Sequence, residues 1–134
     1  MEIATGYFAK SRAYADAGYA LVNIAKVAPW FLPKELHLYS LPQLAPTDEI
    51  LKLKNNPMEY EPMYRAQILS SLNPKVIYQR LWQICDSAKL DKAALLCYES
   101  PDKFCHRHLV AEWLENELGT IINEVHIKER HKKF

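Results

Sequence analysis

An unbroken apolar run in the second half of the chain constrains the fold more than any other feature. Residues 93–97 read Ala-Ala-Leu-Leu-Cys, with no charged or strongly polar side chain among them. Successive side chains of a β-strand point to opposite faces of the sheet, so a strand of this composition must be covered on both faces. Strands of this kind occur in parallel sheets that carry helices on each side, and we predict such a strand over residues 92–98.

Strand and helix patterns alternate along the rest of the chain. Strand-like composition occurs at residues 2–5, 19–25, 36–39 and 120–127, and helical spacing of apolar residues at 58–72, 76–88 and 105–118. Gly6 predicts a turn directly after the first strand. The alternation predicts a single small α/β domain over residues 1–127, with a mainly parallel sheet flanked by helices in Rossmann-like layering. A basic C-terminal tail is predicted over residues 128–134.

Charge and composition argue against several classes of function. The formal net charge is +1, so no strong field or basic stripe predicts a nucleic-acid partner. No apolar run is long enough to cross a bilayer, and the first ten residues do not read as a signal peptide. The three cysteines, Cys85, Cys97 and Cys105, are an odd number, which favours a reducing compartment, and we predict a cytoplasmic protein.

Reactive side chains concentrate at the junction that follows the apolar strand. The stretch LLCYESPDKFCHRHLVAEW holds two cysteines, two histidines, an arginine and a glutamate. In open α/β sheets, ligands usually bind outside the carboxyl ends of the strands. We therefore expect Glu99, after the central strand, to lie near Tyr7 and Lys26, which follow the first two strands.

The helix that begins near Cys105 predicts a binding site for an anion. Its apolar stripe is centred close to His106, so His106 should point inward, with Cys105 and Arg107 at the edges of the buried face and His108 pointing away. The first turn of a helix favours negative charge, and the guanidinium of Arg107 suits phosphate or carboxylate.

We therefore predict that this pocket binds a phosphate-bearing small molecule, such as a nucleotide or a nucleotide-derived signal. Arg107 and Lys26 would hold the anion, with Cys97 among the binding residues. Tyr7, Trp30 or Tyr64 would stack on a base.

A catalytic version of the site assigns roles to three residues. A thiol at a helix start tends towards the thiolate, so Cys105 is a candidate nucleophile, with His106 as acid or base and Glu99 as its orienting partner. Simpler interpretations stay open: His106 as a neutral core histidine, Cys97 as a small apolar residue, and Arg107 paired with Asp102 or Glu99.

A zinc site is the obvious competitor. Cys97, Cys105 and either His106 or His108 could supply three ligands. The chain has no C-x-x-C pair, however, and the spacing of these residues is not a familiar ligand spacing. We therefore predict neither a metal nor another cofactor.

The same residues carry a resemblance to a bacterial and phage family, domain-of-unknown-function family 488. LLCYESPDKFCHRHLVAEWL resembles the family's Leu-Cys-x-Glu strand end and Cys-His-Arg helix start, which match Cys97, Glu99, Cys105, His106 and Arg107. One branch of the family is similar to the stretch GYFAKSRAYADAGYALVNIAKVAPWF. In that branch a glycine and an aromatic residue follow the first strand, and a basic residue follows the second. Gly6, Tyr7 and Lys26 match these positions. The segment from Tyr60 to Arg65 is similar to that branch's aromatic helix start.

This resemblance implies a fold and a site, but no established reaction. Larger members often carry Asp-Val-Arg after the second strand, where this chain has Asn23-Ile24-Ala25-Lys26. Two alternatives to a binding pocket stay open. One is a Cys/His-dependent enzyme, either a hydrolase or transferase or a thiol redox protein. The other is a protein–protein interaction module that uses this surface or the proline-rich residues 29–46.

Overall fold

A computed structural model describes residues 1–100 and 103–125. The strands are β1 (Glu2–Tyr7), β2 (Tyr19–Asn23), β3 (Leu38–Ser40), β4 (Lys92–Cys97) and β5 (Asn123–Glu124). The α-helices are α1 (Ser11–Asp16), α2 (Asp48–Leu51), α3 (Pro57–Gln67), α4 (Pro74–Ala88) and α5 (His106–Leu118). The described chain is therefore a single α/β domain, as predicted.

All five strands form one sheet in the order β3-β2-β4-β1-β5, and every neighbouring pair runs parallel. The central strand is β4, whose residues from Ala93 to Cys97 are all buried. Alternate side chains of this strand enter different apolar clusters. Ala93 and Leu95 pack with residues of α3, α4 and α5, whereas Ala94 and Leu96 pack with Phe8 and Tyr14. The prediction of a strand covered on both faces is confirmed.

Local signals fix several helix ends. Thr47 caps α2 by accepting from the Ile50 N–H at 3.3 Å, and Asn73 caps α4 by accepting from the Lys75 N–H at 2.9 Å. Cys105 is the extended residue before α5, and Gly119 ends that helix in the left-handed region at φ 67°. These ends place the first turn of α5 beside the carboxyl end of β4.

Several boundaries differ from the sequence prediction. β2 ends at Asn23 rather than at residue 25, and α3 ends at Gln67 rather than at residue 72. Gly6 does not start a turn, because β1 continues through Tyr7. A Cβ at Gly6 would lie 2.5 Å from Cε2 of Tyr14, so glycine is needed there for the close approach of a ring. The last strand is only two residues long among the described residues, and it pairs with Ala4 and Thr5 of β1.

Residues 126–134, which include the predicted basic tail, lie outside the described residues. The division of the chain into a domain and a tail therefore stays a prediction. Within the described ranges, no helix is both long and apolar enough to span a membrane.

Candidate functional site

A cavity of about 680 Å³ opens at the carboxyl ends of β2 and β4. Its walls come from the residues after β2, the α2–α3 region and the connection from β4 to α5. They carry apolar, aromatic and charged side chains, chiefly Ala25, Lys26, Asp48, Leu51, Lys54, Tyr60, Cys97, Tyr98, Glu99, Lys103, Phe104, Cys105 and His106. The position agrees with the general rule for ligands of parallel α/β sheets.

Three buried side chains meet at one wall of the cavity. The Sγ atoms of Cys97 and Cys105 and a ring nitrogen of His106 all lie within 4.8 Å of one another. The structure joins Cys97 and Cys105 in a disulfide, and the third cysteine, Cys85, is free and buried on α4. The wall therefore combines two sulfur atoms with an imidazole.

The tautomer of His106 follows from its contacts. Its Nε2 lies 2.7 Å from the carbonyl oxygen of Ile24, and a carbonyl can only accept, so Nε2 carries the proton. Burial lowers the pKa of His106 from 6.5 to about 4. The ring is neutral near pH 7, and its unprotonated Nδ1 lies 3.8 Å from Cys105 Sγ. The histidine thus presents a lone pair to the sulfur atoms.

A row of aromatic rings holds this imidazole in place. The Tyr64 ring lies 5.4 Å from the ring of His106, Tyr60 stacks at 6.0 Å from Tyr64, and Phe104 meets Tyr60 edge-on at 5.1 Å. Tyr64 is fully buried, and its hydroxyl donates to the Leu44 carbonyl at 2.6 Å. It therefore supports His106 from behind and does not line the cavity.

Arg107 is also fully buried, at 0% exposure, and it does not line the cavity. Its Nε and Nη2 donate to the two carboxylate oxygens of Glu124 at 3.0 and 2.9 Å. Its Nη1 donates to the carbonyl of Glu99 at 2.6 Å and to Cys97 Sγ at 3.0 Å. All three guanidinium nitrogens are engaged inside the protein, so the predicted contact with a ligand anion is not formed by this side chain.

Glu124 is the acidic partner that the sequence argument missed. Burial raises the pKa of this carboxyl, but hydrogen bonds from Arg107 and Thr5 outweigh it and leave the pKa below the ordinary value. Thr5 donates at 2.6 Å across the β1–β5 pair. A signal was present in the sequence, because an arginine on a buried helix face needs a carboxylate, and the short strand after α5 supplies one.

The charged side chains of the cavity are separate from this internal pair. Lys26 forms an ion pair with Asp48, and no ion pair involves Lys54 or Lys103 among the described residues. Glu99 is half-buried at the wall. The cavity thus carries three ammonium groups and two carboxylates. Lys54 was missed because nothing near it in the sequence resembles a motif. Lys103 lies within the Cys-His-Arg stretch, but no pattern there marks it as a binding residue.

The fold therefore brings together only part of the predicted set. Cys97, Glu99, Cys105, His106 and Lys26 line one cavity, whereas Arg107, Tyr64 and Tyr7 stand outside its lining. The backbone carbonyl of Ile24 orients His106 in the place predicted for Glu99. His108 is half-buried rather than fully solvated, and burial lowers its pKa. Asp102, the other predicted partner of Arg107, lies outside the described residues.

Comparison with known proteins identifies a family for this chain. A family model described as "DUF488-N3a: Active DUF488-N3 subclade" matches residues 9–118, a range that includes β2, β4, the cavity residues and α5. No curated protein and no solved structure matches the chain.

Proposed function

The chain belongs to the DUF488 family, and from this premise and the geometry of the cavity we propose that it binds a phosphate-bearing small molecule, such as a nucleotide or a nucleotide-derived signal. The observation that carries the proposal is the placing of Lys54 and Lys103 on the wall of a cavity that also has aromatic surface. Neither lysine has a carboxylate partner among the described residues, so both are available to an anion.

The size and the lining of the cavity support this ligand class. Pockets for small molecules usually measure about 300–1,000 Å³, with apolar walls and a few polar groups that fix orientation. The volume of about 680 Å³ falls in that range. Tyr98 and Phe104 supply ring surface, which suits a base or another planar group. The first turn of α5 borders the same space, and its dipole adds to the favourable field for an anion.

The proposed anion contacts differ from those expected from the sequence. Arg107 holds the site together from inside, and the lysines take its predicted role towards the ligand. Lys26 is the one predicted cation that lines the cavity, and its ion pair with Asp48 lies at the exposed rim. Binding of a phosphate group should therefore weaken as salt concentration rises, because exposed lysines are readily screened.

A thermal-shift titration tests the proposal. We expect nucleoside mono- and diphosphates to stabilise the wild-type chain, with about 2.7 kcal/mol gained when the ligand is present at a hundred times its Kd. The double change Lys54→Ala and Lys103→Ala should weaken binding about tenfold or more, whereas Lys75→Ala, an exposed lysine on α4, should leave it unchanged.

Controls separate a phosphate site from a base site. The matching nucleosides and inorganic phosphate should each bind more weakly than the nucleotide. Equal stabilisation by nucleoside and nucleotide would contradict the phosphate contact. Absence of stabilisation by every phosphate compound in the panel would contradict the proposed ligand class.

A Cys/His-dependent enzyme is the second candidate function. It is favoured by one observation: the lone pair on His106 Nδ1 faces Cys105 Sγ at 3.8 Å. In the reduced protein, Cys105 would be the nucleophile and His106 would accept its proton, with Glu99 as a further acidic group on the wall. Burial disfavours the imidazolium form of His106. The proton would therefore pass from Cys105 to His106 only as Cys105 attacks, and not in the resting protein.

Alkylation of the reduced protein tests this candidate. Cys105 should react with iodoacetamide near neutral pH faster than an ordinary exposed thiol, and His106→Gln should slow it about tenfold. Mass spectrometry assigns the modified residue, with buried Cys85 as the internal reference. If Cys105 is alkylated at the rate of an ordinary thiol, and His106→Gln does not change that rate, the enzyme candidate is contradicted and the binding function alone is left.

A further inference from the structure

We propose that the reduced protein binds one divalent metal ion, with zinc as the best match, between Cys97 Sγ, Cys105 Sγ and His106 Nδ1. The fourth coordination position would face the cavity. The three ligand atoms and their neighbours define the site, which does not depend on the identity of the small molecule proposed above.

The distance between the imidazole nitrogen of His106 and the sulfur of Cys105 suits a tetrahedral ion. Zinc lies about 2.3 Å from a thiolate sulfur and about 2.0–2.1 Å from an imidazole nitrogen, which places two sulfurs ~3.8 Å apart and a sulfur and nitrogen ~3.6 Å apart. His106 Nδ1 and Cys105 Sγ are 3.8 Å apart, and all three ligand atoms lie within 4.8 Å. The imidazole already has the position that such an ion requires.

The backbone separation of the two cysteines favours a shared ion over a direct bond. Their Cα atoms are 7.2 Å apart, because Cys97 ends β4 and Cys105 stands before the first turn of α5. Disulfides usually have Cα separations of about 4.4–6.8 Å. Rotation of the two side chains, with β4 and α5 kept in place, would separate the sulfurs enough to admit an ion.

Two outer contacts match those that metal ligands commonly have. A metal-binding histidine almost always donates its second N–H to a carbonyl or carboxylate, and His106 donates Nε2–H to the Ile24 carbonyl at 2.7 Å. Arg107 donates to Cys97 Sγ at 3.0 Å, a contact that stabilises a thiolate. Both contacts exist without the ion, so after reduction only the two cysteine side chains would have to move.

Charge balance also favours a divalent ion. Two thiolates neutralise its charge, and the neutral imidazole adds none. Arg107 is already balanced by the carboxylate of Glu124. The ion would therefore introduce no unpaired charge at a buried position.

The open fourth position distinguishes this arrangement from a purely structural zinc site. Structural zinc ions usually have four protein ligands, whereas catalytic ions have three and leave one position for water or substrate. Among the described residues, no further cysteine, histidine or carboxylate joins the cluster of Cys97, Cys105 and His106. A bound ion would polarise a ligand oxygen in the cavity or lower the pKa of a bound water.

The metal, the disulfide and a free Cys105 nucleophile all use the same sulfur electrons, so they exclude one another. The test therefore starts from protein reduced by a phosphine. This reagent converts the disulfide and one water to two thiols and the phosphine oxide. Each thiol then releases one proton as the ion binds.

Cobalt titration of the reduced full chain is the experiment. Cobalt(II) replaces zinc in thiolate sites and gives thiolate-to-cobalt charge-transfer absorption, together with the visible bands of tetrahedral geometry. We expect saturation at one ion per chain and displacement by zinc. Cys97→Ser and Cys105→Ser should each abolish the charge-transfer absorption of a two-thiolate site, and Cys85→Ser, on α4, should leave it unchanged.

A second measurement on the unmodified sequence avoids reliance on variants that fold poorly. Zinc should protect Cys97 and Cys105 together from iodoacetamide, as read by mass spectrometry, and a chelator should restore their reaction. No charge-transfer absorption in the reduced wild type, or unchanged alkylation with zinc, would overturn the metal site. Because both readings use metal without nucleotide, a failure here leaves the proposed ligand untouched, and a failure of nucleotide binding leaves the metal site standing.

Discussion

Two sets of positive groups flank the N-terminus of α5, and they use their charge in opposite ways. Arg107 directs its guanidinium inward, where Glu124, the Glu99 carbonyl and Cys97 Sγ engage all three nitrogens. Lys54 and Lys103 lie on the cavity side without a carboxylate partner among the described residues. The comparison shows that a conspicuous arginine can be a structural group while less conspicuous lysines are the ones available to a ligand.

Removal of the internal charge should have the largest effect on stability. Arg107→Met leaves Glu124 partly buried without its partner, and breaking a buried ion pair in this way costs ~3–5 kcal/mol of the free energy of unfolding. Urea unfolding followed by circular dichroism measures the loss.

Arg65 provides the matched control for that measurement. It also contacts two carboxylates, Glu61 at 3.1 Å and Glu112 at 3.2 Å, but all three side chains are at least one-third exposed. Arg65→Met should cost no more than ~1 kcal/mol. Equal losses in the two variants would show that Arg107 is not the structural centre of this site.

The next largest effect is expected from the buried His106, which should make the free energy of unfolding depend on pH. His106 has a pKa of about 4 in the folded protein, against 6.5 for a free imidazole. Between these values the unfolded chain binds more protons, so the free energy of unfolding falls as pH is lowered from 6.5 towards 4. The lowered pKa of His106 contributes ~3 kcal/mol to the free energy of unfolding. This contribution is complete above pH 6.5 and is lost as the pH falls towards 4.

The glutamine variant isolates this contribution. His106→Gln keeps an N–H near the position of Nε2 and removes the titrating group, so its stability should depend less on pH over the same range. Glu124 also titrates in acid, which is why the difference between variant and wild type is the quantity to measure. Parallel pH profiles would contradict a buried neutral histidine.

The fold was largely predictable, because its signals are local or periodic. The continuous apolar run predicted a doubly covered β4, and the helical spacing of apolar residues over residues 105–118 predicted α5. The prediction of a turn at Gly6 was wrong. Glycine is needed there because the ring of Tyr14, eight residues away, packs against it, and no local pattern encodes that contact.

The proximity of Cys97, Cys105 and His106 was predictable from the sequence, but the contacts of Arg107 were not. Helical geometry correctly placed His106 inward. The same geometry could not show that Arg107 meets Glu124, since that contact needs α5 to pack beside a strand formed by residues 123–124. Sequence spacing also argued against a metal site, although the distance between ligand atoms in the fold, not along the chain, decides coordination.

Two glutamates offer the finest test of the comparison. Glu99→Gln removes a half-buried carboxylate that lines the cavity, so stability should change by no more than ~0.5 kcal/mol. Its backbone carbonyl still accepts from Arg107. Loss of one negative charge near the lysines should strengthen nucleotide binding about two- to fivefold at low salt, and salt should reduce the gain.

Glu124→Gln is the matched control. It should lower the free energy of unfolding by ~2 kcal/mol, because it weakens the hydrogen bonds to Arg107, and it should leave ligand affinity unchanged. Stronger binding in both variants would mean that net charge alone attracts the ligand, and a large stability loss in Glu99→Gln would place that carboxylate in the internal network.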